Sequence, residues 1–205
     1  MNDRPPARPA TPTREETILL APFVGLGLEA IVVPQTAAQF ADAAAAIRAA
    51  GVVGFDTESK PTFVVGEISE GPHVVQFATP GKAYIFQVCH TSGHAILLDL
   101  LQSTDVRKVG FGLAQDRSQI LRRLDVQLDG VLDLDSEFRK AGYRHTAGVR
   151  AAVAIVLNQK FHKSKRVTTS NWAAAQLSDK QLLYAANDAY AALRVMNAMN
   201  FPGTP

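Results

Sequence analysis

Three short apolar runs that lie close together in the chain constrain its fold more than any other feature. The first spans residues 52–55, and the other two, 73–79 and 82–88, flank a Pro80-Gly81 pair. Short runs rich in β-branched and aromatic residues on either side of such a pair are typical of a β-hairpin. The sequence therefore predicts a sheet that begins with antiparallel strands.

A strand and a helix are predicted upstream of these runs. Residues 29–33 are a strand candidate, and an alanine-rich helical pattern follows over 36–50. Thr36 and Gln39 have the spacing of a capping box, in which two side chains satisfy free backbone N–H groups at a helix start. Gly51 is a typical helix terminator.

Downstream of the hairpin, strand candidates alternate with helical patterns. Residues 108–111 and 130–134 are the strand candidates, and amphipathic helical patterns surround them. Clustered strands followed by strand-helix alternation are typical of a mixed sheet with helices on its faces. The predicted fold class is α/β: a mixed central β-sheet, with an antiparallel hairpin plus parallel strands, flanked by helices.

Length and composition favour one domain. The chain has 205 residues, of which 47% are hydrophobic, enough for one well-buried core. Residues 1–17 are rich in Pro, Thr and Arg and are predicted to form a disordered arm, so a single domain is expected over 18–205.

The net charge and the cysteine count limit where the protein is expected to reside and what it is expected to bind. With a formal charge of +2, any nucleic-acid site has to be a local basic patch. A single cysteine cannot form an internal disulfide, there is no apolar run of roughly 20 residues, and no secretory signal is visible at the start. We therefore expect a soluble cytoplasmic protein without a membrane contact, and no motif indicates a protein partner.

Two carboxylates stand at the end of the first apolar run. Asp56 and Glu58 are two residues apart, so their side chains project from the same face if the strand continues through them. The alternative is that the strand stops at Phe55 and both acids are solvated loop charges. Their meaning depends on partners elsewhere in the chain.

A helix predicted near the C-terminus carries two such partners. Ser178 and Gln181 have capping-box spacing, and a long run with high helix propensity follows. Tyr184 and Asp188 are four residues apart and therefore share one face of this helix. The small residues around Asp188 would let another element approach it, although a solvent-facing Asp and a packing Tyr are the alternative.

Further acids follow the later strand candidates. Asp116 lies in the first turns of the helix predicted after residues 108–111. Asp133, Asp135 and Glu137 have an alternating spacing that could indicate a second metal cluster. We interpret them instead as a strand running into a capped helix, with Asp133 near the other acids.

Taken in order, the segments FDTE, GFGLAQD and SNWAAAQLSDKQLLYAANDAY resemble the three motifs of the DEDDy family of 3′-to-5′ exonucleases, to which ribonuclease D and the Werner-helicase exonuclease domain belong. The resemblance implies a ribonuclease H-like exonuclease fold and the catalytic set Asp56, Glu58, Asp116, Tyr184 and Asp188. The four carboxylates would hold two divalent cations, Mg²⁺ or Mn²⁺, and the tyrosine hydroxyl would orient the attacking water. The implied partner is nucleic acid, DNA or RNA, with a single-stranded 3′ end.

Physical chemistry supports this assignment. Two carboxylates about 4 Å apart repel by roughly 4 kcal/mol at an effective dielectric of 20. Gathered acids therefore need protons or cations among them. Hard divalent ions prefer oxygen ligands, and a pair of them can stabilise both the attacking and the leaving oxygen of a phosphoryl displacement.

A basic segment precedes the last motif. Residues 158–172 are predicted to form a loop, and Lys163, Lys165 and Arg166 lie in it near aromatic residues. Cations beside rings suit the phosphates and bases of a single strand, so these three residues are predicted to bind substrate. A solvated surface loop is the alternative.

Other classes of function stay open on the sequence alone. They are a noncatalytic nucleic-acid-binding module on the same fold, a different metal-dependent nucleotide phosphohydrolase, and an interaction protein. A noncatalytic module would be expected to lack one of the acids or the tyrosine, and none is missing. An interaction protein would have no need of the acids.

Overall fold

The computed structural model describes residues 10–64, 66–143 and 148–199. The helices are α1 (Arg14–Leu19), α2 (Ala37–Ala50), α3 (His94–Gln102), α4 (Ala114–Leu124), α5 (Leu134–Lys140), α6 (Gly148–Leu157), α7 (Lys165–Thr168) and α8 (Asp179–Ala198). The strands are β1 (Ala21–Pro22), β2 (Ile31–Val32), β3 (Val52–Glu58), β4 (Val74–Ala78), β5 (Ala83–Gln87), β6 (Arg107–Gly110), β7 (Val131–Asp133) and β8 (Gln159–Lys160).

Six strands form a mixed sheet in the order β2-β5-β4-β3-β6-β7. Strand β4 pairs antiparallel with β3 and with β5, whereas β6 is parallel to both β3 and β7, and β2 is parallel to β5. The predicted hairpin and the predicted parallel strands are thus both confirmed. Strand β3 is central and is hydrogen-bonded to β4 on one side and to β6 on the other, which fixes the direction of its side chains.

The two faces of the sheet are covered by different helices. Helices α2, α3 and α4 pack on one face, where Phe55 and Phe77 belong to the buried core. Helices α6 and α8 pack on the other, which buries Val109 and Ile85. Because neighbouring strand residues alternate between faces, Asp56 and Glu58 point toward α8 while Phe55 points away from it.

Local capping explains where the two best-predicted helices begin. The hydroxyls of Thr36 and Ser178 accept from the backbone N–H of Gln39 and Gln181, and each glutamine side chain completes a capping box. Gly51 ends α2 with a φ of 66°, a conformation that favours glycine. The predicted helix bounds are confirmed at these points.

The N-terminal predictions need correction. The expected arm over residues 1–17 is wrong at its C-terminal end, because Arg14–Leu19 forms a helix with a Thr13–Glu16 capping box. Residues 1–9 lie outside the described part of the chain. The strand expected over 29–33 shortens to Ile31–Val32, since Leu28–Ala30 forms a 3₁₀ turn. The single domain over 18–205 stays a prediction.

The short strand that follows α1 pairs with a distant part of the chain. Strand β1 lies parallel to β8 in a separate two-stranded sheet.

Among the described residues, no helix has the length and apolar character to cross a membrane.

Candidate active site

Three carboxylates converge where the end of β3 meets the middle of α8. Asp56 and Glu58 come from β3 and Asp188 from α8, and each offers one oxygen such that all three oxygens lie within 4.8 Å of one another. Asp188 is 4% exposed and Glu58 is 9% exposed, so the charges are largely withdrawn from water. The alternative of solvated loop acids is therefore excluded for this site.

A close contact between β3 and α8 makes this convergence possible. At Gly54, an added Cβ would lie 1.8 Å from the backbone oxygen of Ala189. The helix presents Ala185, Ala186 and Ala189 to the sheet, all fully buried. The prediction that small residues let another element approach Asp188 is confirmed.

Burial and mutual repulsion shift the protonation of these acids. Burial, followed by repulsion from Asp116 and Asp188, raises the pKa of Asp56 well above its usual value. Burial, with repulsion from Asp56 and Asp188, raises the pKa of Glu58 to about 10. Burial also raises the pKa of Asp188. The site therefore favours protons or cations between its carboxylates.

Lys163 lies inside the carboxylate cluster. Its Nζ is 2.6 Å from Oδ2 of Asp188 and 5.4 Å from the centroid of the Tyr184 ring. Burial opposes the ammonium charge, but attraction to Asp188 and Asp56 outweighs it and raises the pKa of Lys163. Of the three predicted substrate-binding residues, this is the one that the structure brings to the acids.

Tyr184 lies one helical turn before Asp188, as predicted. Its hydroxyl is 2.8 Å from Oγ1 of Thr168, and its ring packs 5.9 Å from that of Trp172, which is fully buried. Burial, with the nearby Asp188 charge, raises the pKa of Tyr184 to about 12. The hydroxyl is therefore protonated at neutral pH.

Asp116 approaches from the opposite face of the sheet. It lies in the first turn of the core-packed helix α4 and is half-buried, and Thr57 donates a 2.5 Å hydrogen bond to its Oδ1. Thr57 points away from Asp56 and Glu58, which explains why Asp116 is not within the 4.8 Å group. Its charge still contributes to the raised pKa of Asp56, so it stands beside the cluster.

Asp133 holds the turn that leads to Asp116. Its carboxylate accepts from the backbone N–H groups of Gly112 and Leu113, at 3.1 and 3.0 Å, and also caps α5. Gly112 has a φ of 66°, so this turn depends on glycine. The interpretation of these acids as a strand running into a capped helix is confirmed, and the structure adds that Asp133 is the cap. Among the described residues, the Asp133–Glu137 acids form no metal-type cluster.

Parts of the basic-segment prediction are wrong. Instead of a loop, residues 158–172 contain β8 and the short helix α7. Lys165 and Arg166 are exposed on α7 and line neither of the cavities that reach Asp188. Phe161 is 7% exposed and packs edge-on against Phe23, so it belongs to the core. The substrate role of Lys165 and Arg166 stays a prediction.

Gln76 is a polar neighbour that sequence reasoning missed. It is fully buried directly opposite Asp56 on β4, and its amide nitrogen and oxygen have no hydrogen-bond partner among the described residues. A single glutamine in an apolar run gives no signal of this position. Only the pairing of β3 with β4 shows that this glutamine lies opposite Asp56.

The donor set fits a hard divalent cation. Asp56, Glu58 and Asp188 offer only carboxylate oxygen, and Oδ1 of Asp188 is buried without a hydrogen-bond partner among the described residues. Oxygen-rich, anionic clusters of this kind suit Mg²⁺ or Mn²⁺. Lys163 supplies one positive charge, which leaves negative charge for a cation to neutralise when all three acids are ionised.

Comparison with solved structures establishes the fold. The EXO domain of Nibbler from Aedes aegypti superposes with a TM-score of 0.72 at 23% identity, covering 87% of this chain and 90% of that one. RNase D from Trypanosoma brucei, solved with RNA U12, also gives 0.72, at 21% identity over 85% and 64% of the two chains. The predicted ribonuclease H-like exonuclease fold is thus confirmed.

The sequence comparisons go one step further. A 3′-5′ exonuclease family model matches residues 31–201, and the chain belongs to this family. The mouse bifunctional 3′-5′ exonuclease/ATP-dependent helicase WRN is 33% identical over 144 residues, which cover 69% of this chain and 10% of WRN. The chain spans about half or less of the curated relatives it matches first.

Proposed function

We propose that this protein is a metal-dependent 3′-to-5′ exonuclease, which hydrolyses phosphodiester bonds at the 3′ end of nucleic acid and releases nucleoside 5′-monophosphates. The observation that carries the proposal is the convergence of Asp56, Glu58 and Asp188, with Tyr184 one helical turn away. Membership of the 3′-5′ exonuclease family supports it.

The carboxylates would hold two divalent cations, Mg²⁺ or Mn²⁺. Asp56, Glu58 and Asp188 would bind the first, and Asp56 would share the second with Asp116. When bound, such cations lower the pKa of water and neutralise charge on the departing oxygen. The separation of Asp116 from the other three acids suits a ligand of the second cation only.

Tyr184 would orient the attacking water. With its pKa raised to about 12, the hydroxyl keeps its proton at neutral pH and can hold the water in one orientation by a hydrogen bond. The water oxygen bonds to phosphorus, the bond from phosphorus to the 3′ oxygen of the preceding nucleotide breaks, and that oxygen takes up a proton. The products are a 5′-monophosphate and a strand one nucleotide shorter.

Lys163 would pair with substrate phosphate. Its ammonium lies against Asp188 in the structure, where it offsets carboxylate charge. Once cations neutralise the acids, the same ammonium is close enough to the site to attract the phosphate that enters it. Exposed Lys165 and Arg166 would add phosphate contacts farther along the strand.

The proposed substrate is a single-stranded 3′ end of DNA or RNA. The RNase D of T. brucei was solved with RNA U12, which supports nucleic acid as the substrate class for this fold. A digest of matched 3′- and 5′-labelled RNA and DNA, single- and double-stranded, with Mg²⁺, Mn²⁺ or EDTA, tests polarity, polymer and metal dependence together. Folded Asp56→Ala protein is the control.

The outcomes separate this proposal from its rivals. Metal-dependent shortening from the 3′ end by the wild type, absent in Asp56→Ala, supports an exonuclease. Binding without cleavage would indicate a noncatalytic nucleic-acid-binding module, and cleavage of free nucleotides alone would indicate a different phosphohydrolase. The intact set of acids and tyrosine favours the exonuclease.

A further inference from the structure

Gln76 lies in the middle of β4, on the face of the sheet that α8 covers. Val74 and Ala78 flank it on the same face of its own strand, and Ile85 lies opposite it on β5. All three flanking residues belong to the apolar core beneath α8. The Gln76 side chain, which is fully buried, therefore lies in a largely apolar layer.

Both polar atoms of this side chain are without a hydrogen bond. The amide Nε2 and Oε1 of Gln76 are buried and have no partner among the described residues. A buried amide without a partner costs free energy, because it has given up its hydrogen bonds to water. Unpaired groups of this kind in native folds commonly serve a function or meet a bound water or ion.

Asp56 is the polar residue directly opposite Gln76. The two are register partners in the antiparallel pair of β3 and β4, so both side chains project toward α8. The Cβ atoms of directly opposite residues lie roughly 4.5–5.5 Å apart, a gap that a glutamine side chain can span. Asp56 also has acceptor capacity to spare. Among the described residues, the backbone N–H of Thr57 donates to its Oδ1 at 2.9 Å, and a carboxylate can accept about four hydrogen bonds.

The other two acids of the cluster are less well placed for this amide. Glu58 lies opposite Val74, so it is only a diagonal neighbour of Gln76, at a typical separation of roughly 7–8 Å. Asp188 comes from α8, and its Oδ2 already meets the ammonium of Lys163 at 2.6 Å. The geometry therefore favours the acid directly across the strand pair.

We propose that Gln76 is a positioning residue for Asp56, with its amide Nε2 donating a hydrogen bond to the Asp56 carboxylate when that carboxylate holds a cation. The inference rests on the proposed exonuclease function and adds to it a residue that contacts neither the cation nor the substrate. A ligating carboxylate that is itself hydrogen-bonded is held in one orientation. Loss of such a supporting partner typically weakens metal binding or activity about 10- to 100-fold.

The unpaired amide gives this contact its effect on affinity. In the protein by itself, the Gln76 amide has no partner among the described residues, whereas with a cation in place it donates to Asp56. The penalty of burying the donor is thus relieved on cation binding, and this relief adds to the binding free energy. Removal of the amide should therefore weaken cation binding without weakening the fold.

Replacement of Gln76 by methionine tests this assignment. Methionine has a similar length and volume but no amide, so Gln76→Met removes the unpaired group and keeps the packing. In EDTA, its Tm should equal or exceed that of the wild type. In isothermal titration calorimetry, its Kd for Mn²⁺ should rise about 10- to 100-fold. Cleavage of a labelled oligonucleotide should slow at low Mn²⁺ and recover toward the wild-type rate in excess Mn²⁺, because all the carboxylates remain.

Gln87 on β5 provides a matched control. It is buried like Gln76, but its amide Nε2 donates to the carbonyls of Ala174 and Ala175, at 3.0 and 3.3 Å. Gln87→Met leaves these carbonyls without their donor, so its Tm in EDTA should fall by roughly 2–12 °C. Its Kd for Mn²⁺ should stay at the wild-type value. A role in packing alone would give Gln76→Met the same pattern as this control.

An unchanged Kd for Mn²⁺ in Gln76→Met, or a fall in its Tm as large as that of Gln87→Met, would overturn the positioning role and leave the exonuclease intact. If Gln76→Met does not fold, Gln76→Leu is the second variant, and the same rise in Kd is expected for it. If neither variant folds, the amide has a partner that the fold requires, which also overturns the role. A wild type that binds no Mn²⁺ and shortens no oligonucleotide would instead refute the proposed function itself.

Discussion

Replacement of Glu58 by glutamine should show how much the buried acid destabilises the metal-free fold at neutral pH. Glu58 is buried next to Asp56 and Asp188, and its pKa is raised to about 10. Without metal it is therefore protonated in the folded protein at pH 7 and ionised in the unfolded chain, whose ordinary value is 4.5. A neutral glutamine imitates the protonated acid, so Glu58→Gln should be about as stable as the wild type at pH 6 in EDTA.

The magnitude follows from proton linkage. Because the folded pKa is raised, the folded state holds a proton that the unfolded state has lost between these two values, and the stability it contributes is lost as pH rises toward the folded pKa. For each such proton, the free energy of unfolding falls by about 1.4 kcal/mol per pH unit. From pH 6 to pH 8 the metal-free wild type should therefore lose on the order of 3 kcal/mol of unfolding free energy through Glu58.

Urea unfolding in EDTA at pH 6, 7 and 8 measures this effect. The wild type should lose stability across the series, which corresponds to roughly 6–12 °C in Tm for a chain of this size. Glu58→Gln should lose clearly less, whereas Glu70→Gln, which removes an exposed carboxylate, should follow the wild type. If the wild type does not lose stability with rising pH, or if Glu58→Gln loses as much, the proposed electrostatics of the cluster are wrong.

Four further substitutions test individual contacts. Asp188→Asn should lower exonuclease activity at least about 100-fold and reduce thermal stabilisation by Mn²⁺, because a cation ligand worth roughly 3 kcal/mol is lost; full activity would exclude the ligand role. Tyr184→Phe should cost about tenfold in kcat with Mn²⁺ stabilisation kept, since one orienting hydrogen bond is removed; a loss as large as that in Asp188→Asn would be inconsistent with orientation alone. Lys163→Met should weaken oligonucleotide binding and its salt dependence while Mn²⁺ still stabilises the protein, so unchanged binding would argue against phosphate contact. Gly54→Ala should destabilise the fold by about 1–3 kcal/mol or more in urea unfolding, because its Cβ would lie 1.8 Å from the Ala189 oxygen; a neutral effect would mean that the sheet and α8 are not in close contact.

Strand alternation and helix spacing in the sequence predicted which site residues share a face, and the resemblance to the exonuclease motifs predicted that the acids gather into one cluster. Asp56 and Glu58 share a face because strand side chains alternate, and Tyr184 and Asp188 share a face because four residues make about one helical turn. Capping residues gave the start of α8, so the register of this helix followed. These are local rules, which depend little on the rest of the fold.

Contacts between distant segments could not be predicted in the same way. The sequence marked Lys163, Lys165 and Arg166 as equivalent cations, but only Lys163 reaches Asp188, because α7 turns the other two outward. The burial of Phe161 follows from its packing against Phe23, more than a hundred residues earlier in the chain. Such pairings depend on tertiary structure, which local patterns do not encode.

The position of Asp116 shows the same limit within the site. Its motif predicted a fourth acid, and the structure places that acid beside Thr57, on the other side of β3. Nothing in the spacing of the motif indicates from which face of the sheet α4 arrives. The order of β3 and β6 and the turn held by Asp133 decide this.

A time course on one 5′-labelled single-stranded oligonucleotide tests the central claim most directly. With Mg²⁺ or Mn²⁺, the wild type should give a ladder that shortens by one nucleotide at a time from the 3′ end, and mass spectrometry should identify nucleoside 5′-monophosphates as the released products. EDTA and the folded Asp56→Asn variant should both abolish the ladder. A ladder that persists in either case, or products that carry a 3′ phosphate, would contradict the assignment of this acid cluster as a metal-dependent 3′-to-5′ exonuclease site.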